Sequence, residues 1–357
     1  MNQTTLQKKH EFKLPTGILA AALAPDGQAL IAGCMDGVYR CDVDAKNQQK
    51  LYQHDSYVSS VAWLADDVIL SAGYDGAVRW FDLKTAESLR EVKLHDFWSW
   101  DMAVSPDQTM LASVTGQYLA GGYKYEPLPE REPSLKIVSI PSGETIHQLP
   151  HVPSVQAVAF SPDSRFVAAG NLMGEVRVFD TADGKLVSSF TTPDFTSWGI
   201  IKSHSYLGGI FAIKFTPAGS ELLLCGMGPM RDPMAGNGRQ LWQKWTWQDE
   251  PKKVDETHKG ESGEGLMETL AVHPHLDHFV MGGRLRGGDL NVALFDLASG
   301  NRVASLKTGF RVTEAQYTSA GKQLLLVGAQ GQPKHKKDGQ FPRFGRIELY
   351  DLETAPQ

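Results

Sequence analysis

This sequence predicts an all-β chain folded as a seven-bladed β-propeller of four-stranded antiparallel blades, the last blade closed by an N-terminal strand. Three observations carry that reading. A short apolar stretch with a tight turn recurs seven times and leads into a β run ending in an aromatic–acid pair or a relic of one. Ile18–Asp42, Val58–Asp82 and Val155–Asp180 are the clearest copies. The copies repeat at about 40 residues with four strand signals in each, the period of a propeller blade. Finally, the last copy stops short of an outer strand, while an alternating segment stands unclaimed at the N-terminal end.

The innermost strands are expected at Ile18–Leu23, Val58–Trp63, Ser99–Val104, Val155–Phe160, Ile210–Phe215, Met267–Val272 and Val312–Tyr317. Their period-two alternation of β-branched and aromatic residues suits a half-buried pleated surface. Turns such as Pro25-Asp26-Gly27, Pro106-Asp107, Pro162-Asp163 and Pro217-Ala218-Gly219 follow, with proline presetting φ and Asp or Gly relaxing the rest. Second strands end at Gly33, Gly73, Gly170, Gly226, Gly283 or Gly328. Third strands cover Val78–Asp82, Leu135–Ile140, Val176–Asp180, Leu241–Thr246, Val292–Asp296 and Ile347–Asp351. Ser88–Leu94, Thr145–Leu149 and Leu186–Phe190 read as outer strands. After Asp351 too little chain remains for a seventh outer strand. His10–Leu14, with Phe12 and Leu14 on one face and Glu11 and Lys13 on the other, is expected to supply it and protect the open edge.

Across the whole chain these units resemble WD40 repeats of the degenerate, bacterial type. The second unit matches best: His54 stands before Val58, Ser71 lies in the second strand, Asp75-Gly76 makes the hairpin, and Phe81-Asp82 replaces the Trp-Asp pair. The resemblance implies a hydrogen-bonded brace of His54, Ser71, Asp75 and Phe81. Phe81 has no indole N–H, so that brace should lack one hydrogen bond, worth about 1 kcal/mol. His95 and His151 fill the corresponding places in units three and four. The resemblance also implies a platform that binds proteins, with function residing in its loops.

Composition narrows the class. A closed propeller would use residues 1–357 as a single domain. The net charge of −6 does not favour nucleic acid or a membrane surface as partner. Cys34, Cys41 and Cys225 are odd in number and read as reduced, buried thiols. The N-terminal segment lacks the apolar core of a signal peptide, and the longest apolar run, Ile18–Ala24, is too short to span a bilayer, so a cytoplasmic protein is expected.

Insertions point to one rim, here called the top, where the second-to-third turns and the blade-to-blade connections emerge. Thr115–Ser134, Met227–Arg239, Ala329–Arg346 and the smaller Arg284–Asp289 are long turns of this kind, and Thr191–Gly209 and Glu250–Gly265 are long connections. Since connections default to a few residues, a docking role is expected there. The bland alternative is drift, because loop insertion costs little. The candidate contacts are Tyr74, Trp98, Trp100, Tyr118, Tyr123 and Tyr125, with Tyr57 and Trp198 nearby. Such rings can equally plug the space between blades. A basic sector holding Arg284, Arg286, Arg343 and Arg346 could draw an acidic or phosphorylated ligand, or be a solvated face.

The expected function is therefore a non-catalytic interaction platform for an unknown protein or peptide partner, without cofactor or metal and with a small-molecule ligand left open. The alternative from another class is a propeller enzyme, hydrolase or lyase-like, with Asp101, Glu268 or Glu314 around a channel metal and His204 or His258 in the long connections. No HExxH, EF-hand loop, CxxC, GxSxG or P-loop pattern supports it. His273-Pro274-His275 with His278 looks like a metal tract but falls where other units carry a Ser or Thr turn, and reads as a polar turn.

Overall fold

A computed structural model describes residues 4–117, 130–198, 206–232, 237–284, 287–331, 335–337 and 342–354. Among them the chain forms seven antiparallel sheets in sequence order. Blade one comprises Ile18–Leu23, Ala29–Cys34, Gly37–Asp42 and Gln48–Tyr52, and blade two Val58–Trp63, Val68–Gly73, Ala77–Asp82 and Glu87–Lys93. Blade three is Asp101–Val104, Met110–Val114, Leu135–Ser139 and Thr145–Leu149, and blade four Val155–Phe160, Phe166–Asn171, Glu175–Asp180 and Leu186–Thr191. Blade five holds Tyr206–Phe215, Glu221–Asp232, Asn237–Thr246 and Lys252–Glu256, and blade six Met267–Val272, His278–Gly283, Val292–Asp296 and Arg302–Leu306. Blade seven takes Arg311–Tyr317, Gln323–Ala329 and Gly345–Thr354, with Thr4–Leu14 as its outer strand.

The N-terminal clasp is longer than the alternation of His10–Leu14 suggested. Pairing runs from Thr4 opposite Thr354 to Leu14 opposite Gly345, interrupted by one irregularity between Lys8 and His10. That irregularity explains why the alternation is legible only on its C-terminal side, since a bulge resets which face each residue takes. Lys8 adds an ion pair to the largely buried Glu348 at 2.7 Å.

Each interface between neighbouring blades is its own hydrophobic cluster. Leu14, Ile18 and Leu30 meet Val327 and Leu349 where blade seven closes on blade one. Leu70, Val78 and Trp80 meet Leu111, Val138 and Ile140 between blades two and three, where the Trp80 indole also donates to the Ile140 carbonyl at 3.1 Å. The core is thus a ring of wedges, and only the inner strands reach the central channel. The three cysteines are free and buried within these layers.

Blade five departs from the sequence reading. Met227–Arg239, expected as a loop, is mostly the upward continuation of two strands, with Met227 opposite Gln240 and Met230 opposite Gly238 across two register shifts. Its glycines, prolines and methionines hide a pairing that comes from the two arms facing each other. Lys252–Glu256, read as part of a connection, is the outer strand of this blade, and a short strand Thr196–Trp198 pairs with Tyr206–Gly208. On the bottom rim the connections stay short, as at residues 24–28, 64–67, 105–109 and 297–301. There Ser105 and Ser161 bond Asp107 and Asp163 at 2.6 Å and accept the backbone N–H groups of Met110 and Phe166 at 2.9 Å. His273 fills the same place in blade six: its Nδ1 accepts the N–H of His275 at 3.1 Å while Nε2 bonds the Gly321 carbonyl at 2.8 Å. It is a turn residue.

Leu14 is fully buried at the closure. Leu14→Ala should lower the stability measured by denaturant titration by about 2–5 kcal/mol. An unchanged midpoint would mean that the clasp is not part of the cooperative ring.

Candidate functional site

The brace of blade two forms, with a different fourth member. The His54 Nδ1 lies 2.9 Å from Asp75 Oδ2, and His54 Nε2 lies 2.8 Å from Ser71 Oγ. Asp75 also accepts the N–H groups of Asp55 and Ala77 at 3.1 Å each. The missing indole is replaced by Tyr52 of blade one, whose hydroxyl is 2.9 Å from Ser71 Oγ. Phe81 instead packs on the Tyr52 ring with centroids 4.7 Å apart. The brace therefore does not lack a hydrogen bond, because a hydroxyl partner comes from the neighbouring blade. Burial works to raise the Asp75 carboxyl, but the hydrogen bond and charge of His54 prevail and hold it down at about 2.

Blade three repeats the device around its long insertion. His95 Nε2 bonds Ser113 Oγ at 2.9 Å. Glu132, at the far end of the insertion, stands in for the hairpin Asp: it accepts the Asp96 N–H at 2.8 Å, faces His95 Nδ1 at 3.6 Å and pairs with Lys136 at 2.9 Å. The insertion is thus anchored at its base by the blade's own brace. Among the described residues no carboxylate pairs with the His151 ring, whose Nδ1 accepts the Val152 N–H at 2.8 Å; burial, with the charge of Arg177, pushes it down to about 3, a neutral structural ring.

Above these braces, on the top rim of blades two and three, five aromatic rings assemble. Tyr74 stacks on Trp98 with centroids 4.5 Å apart and planes 6° from parallel, and Phe97 stacks on the same indole at 5.0 Å. Trp100 meets Tyr74 and Trp98 edge-on at 5.4 and 5.2 Å, and its indole N–H donates to the Gly116 carbonyl at 3.0 Å. Tyr57 adds a ring 5.9 Å from Tyr74. Tyr57 and Trp98 remain 44% and 39% exposed, so the stack presents apolar area to solvent instead of filling the gap between blades.

The expected contacts Tyr118, Tyr123 and Tyr125 lie outside the described residues, as do Arg286, His204 and the side chain of Trp198. Arg343 reaches Gln48 of blade one at 3.0 Å, Arg346 holds Gln330 at 3.0 Å, and Arg284 lines a separate groove with Met35, Phe310 and Phe344. His258 bonds Asp255 at 3.0 Å in the connection after blade five, away from the channel.

The aromatic patch borders a cavity of about 230 Å³ at the channel mouth, lined by Tyr74, Trp100, Asp101, Lys214, Glu268, Arg311 and Glu314, among others. Its charges have a structural logic. Asp101 and Glu314 hold one register position, paired opposite Val114 and Val327 on their second strands, and Ser60 and Thr269 hold it on the preceding blades. Ser60 donates to Asp101 at 3.3 Å while accepting the Met102 N–H at 3.0 Å. Thr269 donates to Glu314 at 3.3 Å while accepting the Ala315 N–H at 3.1 Å. Asp101 also accepts the Val158 N–H of blade four at 3.0 Å. These carboxylates tie blades together. Glu268 pairs with Arg311 at 2.5 Å. Burial, reinforced by Asp101 and opposed by Lys214, raises the Glu314 carboxyl to about 7. Among the described residues no three His, Cys, Asp or Glu side chains meet in a group able to hold a metal ion. Sequence reasoning missed Tyr52, Glu132 and Lys214.

With this geometry in hand, comparison with known proteins is informative. Residues 45–82 and 143–180, in blades one to two and three to four, match the WD domain, G-beta repeat. The chain is 28% identical over 188 residues to the rat (Rattus norvegicus) telomerase protein component 1, which covers 52% of this chain and 6% of that protein. It is 27% identical over 241 residues to a maize (Zea mays) guanine nucleotide-binding protein subunit beta, covering 63% of this chain and 59% of that one. Rat apoptotic protease-activating factor 1 is 27% identical over 164 residues, 45% of this chain and 12% of its own length. The chain thus spans only a small part of the first of these relatives.

A carboxyl whose folded value is raised stabilises the fold below its unfolded value, near 4.5, and loses that contribution as pH rises through about 7. Glu314→Gln should therefore be more stable than the parent at pH 8, by no more than about 3 kcal/mol, and match it near pH 4. Denaturant midpoints measured against pH check this; a parallel pair of curves would contradict it.

Proposed function

We propose, for a chain that belongs to the WD40-repeat family, that this propeller is a non-catalytic platform docking a protein or peptide partner on the top rim of blades two and three. The observation that carries the reading is the exposed stack of Trp98 on Tyr74, flanked by Tyr57, Phe97 and Trp100. Rigid aromatic rings bury much area at low entropic cost and dominate binding when clustered beside a pocket. Among the described residues the other large exposed apolar side chains are aliphatics, on outer strands as Leu89, Ile146, Leu186 and Val254 are, or in a turn as Leu276 is. They form no comparable ring cluster, and single exposed aliphatics are ordinary surface.

The relatives support a partner-binding role in general, and the partner's identity is for experiment. Asp101 is a poor candidate for chemistry, since it accepts three hydrogen bonds from Ser60, Met102 and Val158 that span blades two to four. A cytoplasmic setting fits the free, buried thiols.

Affinity capture from lysate tests the reading. Trp98→Ala and Tyr57→Ala should each reduce capture of the same partner at least about tenfold, equivalent to about 1.4 kcal/mol, with melting temperature nearly unchanged. Leu186→Ser, on the outer strand of blade four, should leave capture intact. Loss with Leu186→Ser and retention with Trp98→Ala would reverse the assignment.

A further inference from the structure

We propose that the two ends of the blade-three insertion set the geometry of the aromatic stack, with Glu132 as its positioning residue. This rests on the docking reading above and adds what holds that surface in its binding shape.

Phe97, Trp98 and Trp100 sit on the connection from blade two to blade three, and a connection is mobile unless its backbone groups are tied down. Here the ties come from another part of the chain. At the far end of the insertion, Glu132 Oε1 accepts the Asp96 N–H at 2.8 Å and the Phe97 N–H at 3.3 Å. Its other oxygen pairs with Lys136 of the following strand at 2.9 Å, and the same ammonium donates to the Leu94 carbonyl. At the near end, the Thr115 hydroxyl donates to the Trp98 carbonyl at 2.7 Å, and the Gly116 carbonyl accepts the Trp100 indole N–H at 3.0 Å. The two ends are themselves joined, the Thr115 N–H donating to the Ser134 carbonyl at 2.9 Å. His95 and Ser99 meet Ser113, on the strand that leads into the insertion, at 2.9 Å each.

Among these ties Glu132 acts closest to the stack. Burial opposes its charge, but His95 and Lys136 prevail and hold the carboxyl down at about 2, so both of its backbone bonds are charge-assisted at ordinary pH. The Phe97 N–H that it fixes belongs to the ring stacked on Trp98 at 5.0 Å, and Trp98 in turn stacks on Tyr74 of blade two at 4.5 Å. A connection freed from these bonds samples positions in which Trp98 is not held over Tyr74, and ordering it again on binding costs affinity. Glu130, two residues earlier, serves a different segment: it accepts the N–H groups of Ser134 and His151 at 3.0 and 2.6 Å.

The test uses the full chain and reads the near-ultraviolet circular dichroism of the stack, defined as the band that Trp98→Ala removes, together with capture from lysate as above. Glu132→Ala should diminish the band and reduce capture at least about tenfold. Glu132→Gln, which keeps an acceptor oxygen for Asp96 and Phe97, should recover most of both. Glu130→Ala, which frees the base of the same insertion from Ser134 and His151, should leave the band as it is. Where Glu132→Ala is too unstable to purify, Thr115→Val is the second variant; it removes the hydroxyl on the Trp98 carbonyl and should diminish band and capture together. A parental band in both Glu132→Ala and Thr115→Val overturns the proposal, as does an equal loss in Glu130→Ala, which marks general loosening. If capture depends on Trp98 but not on Glu132 or Thr115, this inference falls and the docking reading stands. If Glu132→Ala diminishes the band while capture ignores Trp98, the docking reading is overturned and this inference with it.

Discussion

Face-to-face packing of neighbouring blades is the constraint from which the rest of this molecule follows. Each sheet buries both faces against its neighbours, so stability is spread over a ring of separate clusters and no blade is finished by itself. A ring of that kind must close, and the strand Thr4–Leu14 closes it by pairing along nearly its whole length with Gly345–Thr354. Closure aims the first residues of every inner strand at one axis. Side chains at that position have only each other and the channel for company, which is why acids such as Asp101 and Glu314 are bridged by hydroxyls from the preceding blade.

The same geometry sets the two rims apart. Bottom turns are short and self-satisfied through Ser–Asp pairs, or through His273 in blade six. At the top, the hydrogen-bonded braces of His54 and His95 fix the ends of the connections that carry Tyr57, Phe97, Trp98 and Trp100. Glu132 ties the long insertion of blade three to that scaffold. A surface built on such rigid supports loses little entropy on binding. The aromatic patch and the charged channel mouth share Tyr74 and Trp100, so an exposed ring cluster and a charged cavity lie side by side.

Much of the fold was legible because pleated strands print their period on the sequence. His54, Ser71 and Asp75 stood out through the resemblance of the second unit to a WD40 repeat, as did Tyr74 and Trp100 through places that resemblance marks, and Trp98 through its position at the start of an inner strand. What escaped depends on contacts between distant segments. Tyr52 completes the brace from another blade, and nothing in its local sequence says so. Glu132 does the work of a hairpin Asp, but the insertion moves it far along the chain from its histidine. The hairpin after Met227 was hidden because its pairing is between two irregular arms. Arg343 and Arg346, close in sequence, reach Gln48 and Gln330, contacts that a run of charge does not disclose.

The central claim is that one rim, at blades two and three, is the working surface. Hydrogen–deuterium exchange on the protein alone and bound to its captured partner addresses it most directly. The account predicts slowed exchange at residues 55–58, 74–76 and 94–101, with the bottom turns at 24–28, 64–67 and 105–109 unaffected. Protection confined to those bottom turns, or to the outer strands, would contradict it.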